Sequence, residues 1–176
     1  MSLEERFSKE ELFTLTNAPY LVGTAMVFAE GSGFGTLKEM FANSKSFLMG
    51  AKEFPNNEII SGILPDMHNF SEAREKSKEF QEKAKELFKS KGITSLEQMQ
   101  SFAKEELNKA INILEAKATP KEIDDYKEWV LSIASSVAKA AKEGGFLGFG
   151  GELISDNEEA FYAQIAEILG KDSTLS

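Results

Sequence analysis

Apolar positions in this chain recur every three or four residues from Leu12 to Leu169, and no stretch alternates convincingly with the period of two that a half-buried strand needs. The clearest run is Ile123, Tyr126, Val130, Ile133, Val137 and Ala140, spaced three, four, three, four and three. That spacing draws a packing seam along one face of a helix. The pattern predicts an all-α chain of seven or eight helices in a single domain, residues 1–176, with no Gly/Ser-rich linker to divide it.

Punctuation between the apolar stripes places the helices. Ser8 with Glu11 has capping-box spacing and opens a short helix from Lys9 to about Asn17. Pro19 suits the first turn of a second helix, because its missing N–H is not needed there, and Gly31 ends that helix. Thr36 with Glu39 opens a third, carrying Leu37, Met40, Phe41, Phe47 and Leu48. Pro55-Asn56-Asn57 breaks the chain before a short buried segment with Ile59, Ile60, Ile63 and Leu64. A polar helix follows from Glu72 to Ser90, with a narrow apolar stripe, and Gly92 stops it. Thr94 or Ser95 opens the next. Thr119-Pro120 starts the seam helix, where Trp129 reads as packing beside Tyr126. Ser155 caps the last helix with Glu158 at the box position, and Gly170 ends it.

A faint repeat lies across this plan. At an offset of 112 residues, Leu21, Val22, Ala25, Phe28 and Ala29 fall on Ile133, Ala134, Val137, Ala140 and Ala141, and Gly33-Phe34 falls on Gly145-Phe146. The expectation is two pseudo-repeated helix–Gly-turn–helix units enclosing one core.

Composition narrows the chemistry. The chain has no cysteine, which removes thiolate metal sites, thiol nucleophiles and disulfides. Its single histidine, His68, rules out two-histidine metal sites within one subunit and reads as an ordinary loop residue. A net charge of −9, with lysines interleaved among glutamates, argues against nucleic acid as a partner. The polar N-terminus is not a signal peptide, and the apolar run from Pro19 to Ala29 is too short to span a bilayer, which needs roughly 20 residues. A cytoplasmic location without a membrane span is the expectation.

Three features carry candidate chemistry. Gly31-Ser32-Gly33-Phe34-Gly35 sits between two helices rather than after a strand, so it lacks dinucleotide-loop geometry, and glycines ending helices explain it. The second glycine run is a candidate interaction loop: Gly145, Phe146, Leu147, Phe149 and Gly150 would present an apolar surface to a partner unless their side chains turn inward. Glu152, Asp156 and Glu158 gather carboxylates around the start of the last helix, where calcium or magnesium would accept oxygen ligands and where the helix dipole alone also explains acids. Asp124-Asp125, Glu105-Glu106 and Glu10-Glu11 read as solvated faces. No nucleophile–base motif is present.

The stretch Gly151-Glu152-Leu153-Ile154-Ser155-Asp156-Asn157-Glu158, followed by Ile165-Ala166-Glu167-Ile168-Leu169-Gly170, resembles the closing element of TerB-like tellurite-resistance domains. The resemblance covers Lys121 to Gly170, with Gly150 standing where those domains usually carry an acid. It implies an all-α fold of paired helices and a stress-linked, cation-associated module, with Glu152, Asp156 and Glu158 as the residues to test. Three readings stand side by side: a non-catalytic binding or accessory protein needing no cofactor, a divalent-metal-responsive TerB-like module, and a small-molecule carrier or unconventional enzyme with a cavity between the repeats. Self-association as a homodimer through an exposed helix seam is a further expectation.

Overall fold

The computed structural model describes residues 2–29, 37–65, 70–142 and 155–173. Eight helices follow in order: α1 (Leu3–Arg6), α2 (Lys9–Ala29), α3 (Leu37–Glu53), α4 (Glu58–Ile63), α5 (Phe70–Lys91), α6 (Leu96–Lys117), α7 (Pro120–Lys142) and α8 (Asp156–Leu169). The fold is an all-α multi-helix bundle, and no strand occurs among the described residues. The glycine turns that would complete the two sequence repeats lie outside those residues.

The bundle is organised around α2, which α3, α6, α7 and α8 sheathe. Its Leu15, Ala18, Leu21, Val22, Ala25, Met26 and Ala29 have no exposed surface. The seam residues Tyr126, Val130, Ile133 and Val137 of α7 are equally buried, and Ile123 and Ala140 are half-buried at its ends. Trp129 is fully enclosed, with its ring 5.4 Å from Phe47 and 5.7 Å from Tyr126.

Where two helices were expected around Pro19, the structure has one. Proline removes the hydrogen bond to the carbonyl four residues back, which is Leu15. That carbonyl instead accepts a 2.7 Å hydrogen bond from the Tyr126 hydroxyl of α7. Burial of α2 on several sides outweighs the lost bond, and the helix runs through. At 21 residues, α2 is thereby long and apolar enough to cross a membrane by length and composition, which the run after Pro19 alone was not; 61% of the qualifying stretch is buried in the bundle, as a core helix would be.

Local signals set most helix ends. Ser8 and Glu11 exchange box hydrogen bonds of 3.2 and 2.7 Å. Ser95 pairs with Gln98, and Ser155 with Glu158, in the same way. Gly92 and Gly170 take φ of 60° and 63°, the left-handed turn that ends α5 and α8 without a Cβ penalty. Asn57 does more than break the chain. Its Oδ1 caps α4 by accepting from Ile59 and Ile60, while its Nδ2 donates to the Glu122 carbonyl and toward Asp125.

Candidate functional site

Pairs of contacts fix the directions of α2, α3, α6, α7 and α8. Arg6 meets Glu122, Leu15 meets Tyr126, and Tyr20 reaches Trp129 through Phe47, so α2 and α7 run in parallel. Gly50 lies at Trp129 and Asn57 at Glu122, so α3 runs against α7. Lys117 bonds Glu11, which sets the end of α6 beside the start of α2. Lys171 bonds Asp124 and Glu128, which sets the end of α8 beside the start of α7. It follows that α2 and α7 finish, and α3, α6 and α8 begin, at one end of the bundle. We call this the distal end. Ala29 and Lys142, the last described residues before the two Gly-Phe sequences, lie there.

The opposite, proximal end is stitched by charge. Arg6 forms a bidentate pair with Glu122, both bonds 2.9 Å, and also donates to the Lys117 carbonyl. Glu122 accepts from the Thr119 backbone and hydroxyl as well. These hydrogen bonds, those from Arg6 foremost, hold its carboxyl at about 2 against burial. Lys121 pairs with Asp125, and Lys117 with Glu11. Asp125 is therefore a half-buried partner rather than part of a solvated face, and Glu106 is buried too, bonded by Lys109. Both were placed on the surface by sequence because an acidic pair gives no sign of which carboxylate turns inward.

The distal end is different. Glu158, in the first turn of α8, is 2% exposed. Its Oε2 accepts from the Ser155 N–H and hydroxyl, while Oε1 is buried without a hydrogen-bond partner. Phe28, the penultimate residue of α2, is among the exposed large apolar side chains. At the start of α6, an open groove of about 340 Å³ runs over Phe102, bordered by Lys91 and Ile93 on one side and by Glu97, Ser101 and Glu105 on the other.

The sequence-derived site residues divide accordingly. Glu152 and the interaction loop of Gly145, Phe146, Leu147, Phe149 and Gly150 lie outside the described residues, as does His68. Asp156 is exposed at the first position of α8, whereas Glu158 is buried two residues on, so the helix directs them to different environments. Among the described residues no three carboxylate or imidazole side chains gather into a metal-holding group. Thr14, Thr16, Thr24 and Ser132 donate to carbonyls three or four residues back, and Ser8, Ser95 and Ser155 cap helices. Those hydroxyls serve the helices rather than a reacting group.

Asn17 is a polar residue that sequence reasoning passed over. It is fully buried in α2, and both its amide nitrogen and its oxygen lack partners. It shares a helix face with Phe13, whose ring lies under Lys83 of α5, and with Tyr20, which packs on Phe47 of α3. An asparagine set among Leu15, Ala18 and Leu21 was the available signal. No protein-family model, curated protein or solved structure matches this chain.

Proposed function

We propose that this chain is a non-catalytic helical binding protein that engages its partner through the distal end of the bundle. The observation that carries the reading is the contrast between the ends. One is closed by ion pairs. The other bears exposed Phe28, a buried carboxylate oxygen without a partner and an open groove, and it is where α2 and α7 end. Surfaces of that kind suit recognition better than bond making, because exposed aromatic side chains supply contact area. Affinity capture on the immobilised chain tests this. Proteins held by the wild type and lost by F146S/F149S at an unchanged melting temperature support it. A large fall in melting temperature for that double variant shows the rings to be core and overturns it.

A second reading follows from Glu158. Its free oxygen would serve a divalent cation completed by other groups at the distal end, as the TerB-like resemblance implies. Calcium, magnesium or manganese should then raise the melting temperature by mass action, and Glu158→Gln should reduce the rise. Absence of any shift at millimolar metal removes this reading.

A further inference from the structure

The groove at the start of α6 already holds a cation of the chain itself. Lys91, the last residue of α5, places its ammonium 5.3 Å from the centroid of the Phe102 ring, within cation–π range. The same ammonium is 3.8 Å from Glu105 Oε1. Glu97 and Ile93 line the groove as well. Lys109, and then Lys91, hold the Glu105 carboxyl below its ordinary range, so it is ionised at neutral pH. The Glu97 backbone N–H, and then the Ser95 hydroxyl, do the same for Glu97. An aromatic floor with carboxylates beside it fits a side chain that joins an aliphatic stem to a positive head.

We infer that this groove is a recognition site for a cationic side chain, an arginine of a peptide or protein partner, and that Lys91 is its resident occupant in the free protein. Three observations select arginine. The guanidinium is planar and weakly hydrated, so it stacks on a ring and pairs with a carboxylate better than the ammonium it displaces. Lys91 is itself 41% exposed and sits at a helix end beside Gly92, so its head is held loosely over a ring that is 3% exposed with Lys91 in place. The chain carries a net charge of −9, which steers a basic partner toward it. The inference rests on reading the distal end as the binding end, and it adds the chemistry of what binds there.

The test uses acetyl-Gly-Arg-Gly-Arg-Gly-amide titrated into the full chain, followed by NMR at the Ile93 methyl and Phe102 ring signals. Shifts concentrated at those two residues are expected, with none from the peptide in which citrulline replaces arginine. Lys91→Met should tighten binding about three- to tenfold, by removing the competitor. Lys89→Met, an equal change of charge at an exposed position outside the groove, should leave the affinity unchanged at the groove. E97Q/E105Q should weaken binding to a similar degree. Shifts spread over the acidic surface, or equal gains from both lysine variants, overturn the site. The two readings fail separately. If F146S/F149S releases captured proteins while the peptide leaves Ile93 and Phe102 unmoved, the groove falls and the distal-end reading stands. If the peptide behaves as expected while F146S/F149S keeps every captured protein, the groove stands and the loop's part in that reading falls.

Discussion

The Tyr126 hydroxyl donates a hydrogen bond to the Leu15 carbonyl, the one backbone acceptor in α2 that Pro19 leaves unserved. The two helices at the heart of the bundle are thus joined at the point where one of them is chemically incomplete. Burial pushes the Tyr126 phenol well above its ordinary range, so it is protonated and a donor at neutral pH.

A double-mutant cycle measures this bond. Tyr126→Phe should cost about 1–3 kcal/mol, because it leaves a buried carbonyl unpaired. Pro19→Ala restores the intrahelical donor, so Tyr126→Phe in that background should cost less than half as much. Urea denaturation of the four proteins supplies the cycle. Equal losses in both backgrounds would show that Leu15 is not the acceptor that matters.

The Arg6–Glu122 pair makes stability depend on acid. The Glu122 carboxyl titrates at about 2 in the fold against an ordinary 4.5, so its contribution is complete above pH 4.5 and lost as pH falls toward 2. Glu122→Gln should be about 1–2 kcal/mol less stable at pH 7, after screening of the partly exposed pair, and the gap should close in that acid window. A constant gap from pH 7 to pH 2 would assign the loss to packing rather than to charge.

Gly50 and Trp129 occupy each other's space. A Cβ on Gly50 would overlap the indole nitrogen and come within 2.6 Å of Cε2. Gly50→Ala should therefore destabilise by about 1–3 kcal/mol by overpacking, even though alanine is the better helix former. The smaller ring of Trp129→Phe should recover part of that loss in the double variant. Calorimetric melting temperatures decide, and a Gly50→Ala protein as stable as the parent would place the indole elsewhere.

Asn17 is the test of whether the core contains an uncompensated cost. Replacing its carboxamide with the apolar Asn17→Val should raise stability by about 1 kcal/mol, since neither amide atom loses a partner. A lower melting temperature would reveal a hydrogen-bonded group or water against Asn17 in solution.

What could be read without coordinates was local. The boxes at Ser8 and Ser155, the turns at Gly92 and Gly170 and the seam on α7 depend on residues within about one turn of one another, and all hold in the structure. What was missed depends on distant chain. Pro19 looks like a helix start until Tyr126 is brought to Leu15. Asn57 looks like a breaker until α7 supplies its partners. Glu106 and Asp125 look solvated until a neighbouring cation is in place. The groove escaped for the same reason: Lys91 and Phe102 belong to different helices, and only the turn at Gly92 brings the ammonium over the ring.

The central position of α2 has a consequence for biosynthesis. The chain is made from its N-terminus, and the Tyr126 that completes Leu15 lies 111 residues downstream. On the ribosome the most apolar helix is thus finished long before α6 and α7 exist to cover it. Its nascent surface must be held by temporary company, from the exit tunnel, from α3 or from a chaperone, until the seam helix arrives. Rapid, productive synthesis of residues 96–142 should govern yield more than the intrinsic stability of the finished bundle.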